Sequence, residues 1–170
     1  SILDPDLIAR TLIGSVVKEM FLENGTLLLR NAGGGGYQVK MVEGVEARSL
    51  PSSELPDDDA VLGVIREKKD ALLRHDVAMN PRYEGNREDL QRTFHSLSSE
   101  LMFPMTYKDE LRGIISLGRK KSGKLFTPED LDLLRTLTYQ SAIALENAHL
   151  FKENLQKGRM EEELKIAHDI

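Results

Sequence analysis

The end of the chain, from Thr127 to Ile170, constrains the fold most, because it contains one proline, Pro128, at its start and one glycine, Gly158. Threonine is a favoured helix cap, proline suits the first helical position, and Asp130 has the spacing of a reciprocal cap. Nothing else in the segment interrupts helical hydrogen bonds. We therefore predict one helix to Ile170, weakest at Gly158 and far longer than the average of about 11–12 residues.

Small and apolar residues recur along this predicted helix at alternating steps of four and three, which is the spacing of a coiled-coil seam. Small side chains on such a seam allow two helices to approach closely. We predict a parallel homodimer in which the first and last helices pack as a bundle across a two-fold axis. The predicted dimer seam consists of Leu134, Thr138, Ser141, Leu145, Ala148 and Leu155.

Shorter helices are predicted earlier in the chain. Residues 6–21 place apolar side chains at helical intervals, with Asp4 as the cap and Pro5 in the first turn. Residues 57–59 are three aspartates that precede an apolar helical face, so we predict that they cap a helix rather than bind a cation. Another helix is expected from about Arg87 onward, after an irregular polar stretch.

Strands are predicted at residues 26–30, 37–41, 71–73, 101–107 and 111–117, where apolar residues alternate or form short runs between turn residues. The first two are joined by four consecutive glycines, which we interpret as a loose hairpin connection. The last two form a central hairpin. Pro104 cannot donate to a ladder, so we expect it at a bulge or on a free edge.

The overall composition fits one soluble domain, because 170 residues with 40% hydrophobic and 30% charged residues can bury a single core. A net charge of -5 argues against a nucleic-acid partner. No apolar run is long enough to cross a bilayer and Ser1 does not begin a secretory signal, so we expect a cytoplasmic protein without a membrane partner. The absence of cysteine excludes disulfides and thiolate sites.

No sequence motif predicts a catalytic or metal site. Residues 118–124 match half of a phosphate-binding loop, but Leu125 stands where a magnesium-binding hydroxyl is needed, and the helix begins only after Thr127. We interpret this segment as a basic solvated loop. The histidines at positions 75, 95, 149 and 168 are too scattered to show metal-ligand spacing.

Several short phrases together resemble the GAF family, over about residues 5–155. The resemblance implies an α+β, profilin-like fold: a central antiparallel sheet of five to six strands, helices on one face, a ligand cavity on the other face beneath a lid, and a long C-terminal signalling helix. The phrases that carry it are residues 81–83, 99–104, 110–118, 121–124, 126–131 and 140–148.

The tail, residues 159–170, resembles the linker that enters the catalytic domain of SpoIIE-like serine phosphatases, which are metal-dependent enzymes. The resemblance implies a sensory domain at residues 1–155, including an N-terminal dimerisation helix, and a linker at residues 156–170 toward an output domain. A histidine kinase is the alternative parent, in which case His168 would be the phosphorylated residue.

The resemblance implies a regulatory domain of a bacterial signalling protein that is not itself an enzyme. We expect it to bind a small-molecule effector and to pass the ligand state through the last helix. Ligands in the family are diverse, so the cofactor stays unknown. Tyr83, His95, Phe103 and Ser116 are the candidate ligand-binding residues. The alternative is a ligand-free dimerisation scaffold, whose cavity would be filled by Phe94, Leu101, Phe103 and Met105.

Overall fold

Six strands form one antiparallel sheet in the computed structural model, which describes residues 4–44 and 54–169. Their order across the sheet is β3-β2-β1-β6-β5-β4. This arrangement confirms the predicted α+β architecture. The strands are β1 Asn24–Arg30, β2 Tyr37–Gly44, β3 Glu54–Leu55, β4 Leu72–Leu73, β5 Leu101–Tyr107 and β6 Glu110–Leu117.

Helices cover both faces of the sheet. Two long ones lie on the first face, α1 and α5, and three short ones lie on the second face, α2 to α4, together with a 3-10 turn at Pro81–Tyr83. The sequence did not predict α3, because it lies in a short polar stretch with no helical repeat. The helices are α1 Pro5–Glu19, α2 Ala60–Lys68, α3 Arg74–Met79, α4 Arg87–Ser96 and α5 Pro128–Asp169.

The predicted helix caps are present. Asp4 and Asp59 each accept a hydrogen bond from the backbone N–H two residues later, at 3.0 and 2.8 Å. Thr127 and Asp130 cap α5 reciprocally: the Asp130 N–H donates to Thr127 Oγ1 at 3.1 Å, and the Thr127 N–H donates to Asp130 Oδ2 at 2.7 Å. Short-range signals therefore determine where these helices begin. The helix continues through Gly158 without a break.

The stripe predicted as the dimer seam packs inside its own domain. Leu134, Thr138, Leu145 and Ala148 are all at most 4% exposed, and Leu134 and Leu145 belong to the core that α5 shares with α1 and the sheet. An apolar stripe at helical spacing fits a sheet as well as a second helix, and the sheet of the same chain is already adjacent. Those four residues are therefore not a dimer contact surface. Among the other two, Ser141 is half-buried and Leu155 is 47% exposed.

Irregular pairing between β1 and β2 changes which face of the sheet β2 presents. One extra residue on β2 lies between Met41, opposite Leu27, and Val39, opposite Leu28. A bulge of this kind reverses the alternation of side chains. Tyr37 and Val39 therefore join the core of the second face, whereas Met41 packs on the first.

Both faces of β5 are buried, so this strand contributes to two cores. Leu101, Phe103 and Met105 pack against α1 and α5, and Met102 packs beneath α4 on the opposite face. Pro104 lies beyond the two β5 residues that pair with β4, where β5 has no other described neighbour on that side. The expectation of a free edge position for Pro104 is confirmed.

Two ion pairs fasten the first half of α5 to the domain. Lys120 Nζ lies 2.6 Å from Asp130 Oδ2, and Arg135 Nη2 lies 3.0 Å from Asp70 Oδ2. Burial opposes ionisation of Asp130, but hydrogen bonds from Lys120 and Thr127 outweigh it and hold its pKa below the usual value. Burial likewise opposes ionisation of Asp70, and Arg135 outweighs it, so this pKa is also lowered.

Acid should weaken these attachments. A carboxyl whose pKa is lowered by folding contributes stability above its unfolded pKa of about 4, and it loses that contribution as pH falls through the folded value. We therefore expect the free energy of unfolding, measured with urea, to fall as pH is lowered below about 4. Asp130→Asn should flatten that fall. Glu161→Gln also removes a carboxylate from α5, but at an exposed site, so this variant should keep the steep fall of stability with pH. If stability falls equally steeply with pH in the two variants, this assignment is contradicted.

Candidate functional site

The short helices of the second face form one connected lid. The Thr93 hydroxyl on α4 donates to Asp59 Oδ2 at 2.9 Å and so joins α4 to the cap of α2. Arg87 donates from Nε to the Val77 carbonyl and from Nη2 to the Asn80 carbonyl, both at 2.9 Å. These charge-assisted bonds tie α4 to the end of α3, so the lid elements are held together as a unit.

Apolar side chains fill the space between the lid and the sheet. The fully buried residues of this core include Leu28, Leu72, Leu90, Phe94, Leu97, Met102 and Ile114. The expectation that Phe94 would fill this region is therefore correct. Leu101, Phe103 and Met105 lie in the other core, because they point to the first face of the sheet.

Three hydroxyls on the lid side are buried without a hydrogen-bond partner among the described residues: Thr26 Oγ1, Ser116 Oγ and Tyr83 OH. Thr26 and Ser116 sit directly opposite each other on β1 and β6. They share the face of Leu28 and Ile114, since side chains two residues apart point the same way. Burial raises the pKa of the Tyr83 phenol. Unpaired buried hydroxyls cost free energy that a polar ligand atom or a water molecule would recover.

Only two of the four candidate ligand-binding residues lie in this region. Tyr83 and Ser116 are buried on the lid side. Phe103 lies on the opposite face of the sheet, in the core with α1 and α5. His95 is exposed, because it follows the inward-facing Phe94 by one residue and a helix turns about 100° at each step. The structure thus separates Phe103 and His95 from the other two.

A cleft of about 620 Å³ opens on the same face, next to the lid, between the end of α2 and the β5–β6 hairpin. We call it the hairpin cleft. Apolar groups from Tyr37, Ile65, Pro104 and Leu111 line part of it. The polar lining residues are Arg30, Arg66, Lys69, Thr106, Asp109 and Glu110.

Buried Tyr37 organises this cleft. Its hydroxyl donates to the Leu111 carbonyl at 2.7 Å and accepts a long hydrogen bond from Arg66 Nη2 at 3.4 Å. The Arg66 guanidinium also lies 5.8 Å from the centre of the Tyr37 ring, within the range of a cation–π contact. Arg66 also contacts Asp57: its Nη1 donates to the Asp57 carbonyl at 3.2 Å, and its Nη2 lies 3.4 Å from Asp57 Oδ1. For Lys69, the described part of the chain offers no ion-pair partner.

A chain of charges connects the rim of the hairpin cleft to α5. Glu110 Oε2 lies 3.8 Å from Arg30 Nη1 and 3.3 Å from Arg112 Nη2. Arg112 Nη2 in turn lies 3.7 Å from Glu146 Oε1 on α5. Arg112 Nε is buried and has no described hydrogen-bond partner. The hairpin cleft on one face of the sheet is therefore linked through side chains to the helix on the other.

The loop that resembles half of a phosphate-binding motif serves packing. A Cβ atom at Gly118 would collide with the Asn24 side chain, so this glycine permits a close approach. Lys120 is committed to its ion pair with Asp130. Within residues 4–44 and 54–169, no group of three or more His, Cys, Asp or Glu side chains could hold a metal ion. No helix in that part of the chain is both long and apolar enough to cross a bilayer.

Sequence reasoning missed the hairpin cleft. Its cations come from the end of β1 and the last turn of α2, which are 36 residues apart at Arg30 and Arg66. The basic end of α2 was a visible signal, but basic residues there also complement a helix dipole. Only the packing of α2 beside the hairpin brings these residues together.

A family model described as "GAF domain" matches residues 3–146. Among solved structures, residues 122 to 287 of a methyl-accepting chemotaxis protein are similar, with 17% identity, a TM-score of 0.70 and coverage of 88% of this chain and 93% of that one. The GAF domain/HD domain protein from Geobacter sulfurreducens is 17% identical, with a TM-score of 0.67 and coverage of 88% and 96%. The second GAF domain of DevS from Mycobacterium smegmatis is 13% identical, with a TM-score of 0.62 and coverage of 88% and 99%.

Proposed function

Because the chain belongs to the GAF domain family, whose members are regulatory, non-catalytic sensor domains of signalling proteins, we propose that it reports small-molecule binding through α5. The observation that carries this proposal is the division of α5 into two parts. Its first half is packed into the core, and residues 149–167 are exposed. The exposed part spans about 30 Å at 1.5 Å per residue, so a change in core packing would be carried to its far end.

The second face of the sheet is the proposed sensing surface. It combines the unpaired hydroxyls of Thr26, Tyr83 and Ser116 with the hairpin cleft. A ligand that prefers one packing of the lid would shift the domain between two states by its difference in affinity for them, commonly about 1–3 kcal/mol. Tyr83 and Ser116 stay candidate ligand contacts in this proposal, with Thr26 added beside Ser116.

The proposed partner is a second copy of the chain. A largely apolar groove of about 480 Å³ runs between α1 and α5, and the seam residue Ser141 lies in it beside Leu137 and Ala144. The exposed residues Phe151 and Leu155 lie further along the helix, so that residues 137, 141, 144, 151 and 155 follow heptad spacing, while Ala148 of the predicted seam is buried. This heptad stripe favours a parallel partner helix. Its α1 side is lined by Leu7, Ile8, Thr11, Leu12, Ser15, Val16 and Glu19.

A charge in this groove should separate the two copies. Thr11 is an exposed residue of the groove, and Thr11→Arg would place a buried, unpaired charge from each copy in the interface. We expect dimerisation to weaken by about a hundredfold or more, since such a charge costs several kcal/mol. Sedimentation velocity over a concentration series measures this change. The matched variant Thr136→Arg, exposed on α5 outside the groove, should dimerise like the native chain. Equal behaviour of the two variants would refute this interface.

We further propose that an output domain follows α5 in a cytoplasmic protein, and that it is a SpoIIE-like serine phosphatase. The support is the continuity of α5 through the tail phrase, up to Asp169. A histidine kinase, with His168 as its phosphorylated residue, is the alternative. Sequencing the gene beyond codon 170 decides between a metal-dependent phosphatase domain and a kinase domain; finding neither would refute both.

The filled lid favours a second candidate function, a ligand-free dimerisation scaffold. Phe94 and Leu90 are fully buried there, as a scaffold requires. The two functions differ in whether ligand binding moves α5. Because the chain has no cysteine, Lys157→Cys provides a unique site for a spin label on the exposed half of the helix.

The distance between the two spin labels of a dimer tests the choice. Amino acids, oxoacids, nucleotides and haem would first be screened for a rise in melting temperature, since selective binding to the folded state stabilises it. The sensor requires that a stabilising compound also changes the label-to-label distance. The scaffold requires that no compound in the panel does both.

A further inference from the structure

We propose that the hairpin cleft binds a small organic anion with an apolar body. This inference rests on the proposed sensory function and assigns its ligand class and site. The cleft, of about 620 Å³, has the size of a small-molecule site. Tyr37 and Pro104 are buried and supply apolar surface, while three cations at the rim, Arg30, Arg66 and Lys69, face two carboxylates. The lining therefore has an excess of positive charge.

The two cations at the end of α2 are the best placed to hold an anion. Arg66 lies in the last turn of α2, Lys69 is the cap residue that follows the helix, and both line the cleft. Among the described residues, Arg66 makes only long hydrogen bonds, of 3.2 and 3.4 Å with Asp57 and 3.4 Å with Tyr37, and Lys69 has no ion pair. Complementing the dipole of α2 would explain their charges alone. It would not explain why they border a cleft whose wall is partly apolar.

Binding at this site has a physical route to α5. The ion pair between Arg30 and Glu110 is long, at 3.8 Å, and both side chains are about half exposed, so an incoming anion can replace Glu110 as the partner of Arg30. Glu110 is then left to Arg112, which it already approaches at 3.3 Å. Arg112 also holds Glu146 at 3.7 Å, so re-pairing of Glu110 alters a contact of the signalling helix.

The test uses three probes that share one apolar body and differ in charge: 2-naphthoate, neutral 2-naphthamide and cationic 2-naphthylmethylamine. Each is titrated into the isotope-labelled chain and followed by amide chemical shifts in two-dimensional NMR. We expect 2-naphthoate to give saturable shifts at Arg66, Lys69, Thr106 and Leu111, with weaker or no response to the other two. Equal or tighter binding of the amide or the amine would overturn the proposal, as would shifts confined to other parts of the chain.

Variants that each remove one charge at the end of α2 test whether these charges bind the anion or only stabilise the helix. Arg66→Gln and Lys69→Gln should each weaken 2-naphthoate binding about tenfold, the loss expected for one charge-assisted hydrogen bond. Lys68→Gln removes a charge from the same turn outside the cleft lining, and it should bind like the native chain. If all three variants bind alike, no site of this kind exists. All three positions are at least partly exposed, so each variant is expected to fold.

The route to α5 is tested by Arg112→Gln, since Arg112 does not line the hairpin cleft. This variant should bind 2-naphthoate with native affinity but lose the shifts that the native chain shows around Glu146 on α5. Unchanged shifts at Glu146 would overturn the route. If 2-naphthoate fails to bind while another compound moves the label at position 157, this inference is wrong and the proposed sensory function stands.

Discussion

Phe94→Ala should lower the free energy of unfolding by about 3–5 kcal/mol, which is the cost of removing a fully buried aromatic ring. Phe94 has 0% exposure and packs between the lid and the second face of the sheet. Its removal takes away apolar burial and leaves a cavity, because the sheet below and the lid helices above are each held by their own hydrogen bonds. Urea unfolding measures the loss as a lower midpoint at an unchanged slope.

Tyr139→Ala is the control for this loss. Tyr139 is an aromatic residue of α5 that is 67% exposed and lies outside the groove lining, so its truncation should cost far less. A loss for Phe94→Ala no larger than that of the control would mean that the lid is not packed on the sheet in solution. The lid would then be open, and the filled interior that favours the scaffold function would no longer be an argument for it.

Replacing the unpaired hydroxyls beneath the lid should have the opposite effect. Thr26→Val and Ser116→Ala each remove a buried hydroxyl that has no described hydrogen-bond partner, and each should raise the free energy of unfolding by about 1–3 kcal/mol. Both changes keep the side chain close to its original size, so packing is preserved. The combined variant should be more stable than either alone, although the two sites are adjacent and their effects need not add.

Thr136→Val is the comparison for this gain, because Thr136 is exposed on α5 and its hydroxyl is hydrogen bonded to the Asp132 carbonyl. That variant should be neutral or slightly destabilised. If Thr26→Val and Ser116→Ala instead destabilise the domain, their hydroxyls have a partner in solution. A buried water or a bound polar molecule would then lie beneath the lid, which supports a ligand contact at Ser116.

These two results bear on the choice between sensor and scaffold at the lid. If the lid is tightly packed and removal of the hydroxyls stabilises the domain, the space beneath the lid is a dry core, and sensing depends on the hairpin cleft. If removal of the hydroxyls destabilises the domain, the space beneath the lid is a polar site that opens to admit a ligand. In both cases α5 is the element that leaves the domain, and its first half is fastened by the ion pairs at Asp130 and Asp70.

Local chemistry was enough to predict most of the elements. The reciprocal cap of Thr127 and Asp130, the cap at Asp59 and the absence of a further proline after Pro128 all act within a few residues. Interactions of that range can be recognised from spacing alone. The order of the elements also followed from this spacing, and the family phrases added the likeness to a known fold. Short elements such as α3 and β3 were not predicted, because two to six residues carry no periodic signal.

Which face each side chain occupies was decided by tertiary structure. Phe103 was expected in a ligand cavity, but β5 is apolar on both sides and its alternation does not say which side meets the lid. The bulge in β2 sends Met41 to the opposite face from Tyr37, although their spacing predicts the same face. Leu134 and Leu145 form a stripe that suits a partner helix, and the adjacent sheet of the same chain takes them instead.

The sequence by itself determined the start and length of α5, the helix caps, the likeness to a family and the absence of cysteine chemistry. Each of these depends on neighbouring residues or on composition. The hairpin cleft and the charge path from Arg30 through Glu110 and Arg112 to Glu146 depend on the pairing of β1 with β6 and on the packing of α5. Contacts between residues that are distant in the sequence, such as Arg30 and Glu110, exist only once the sheet has formed.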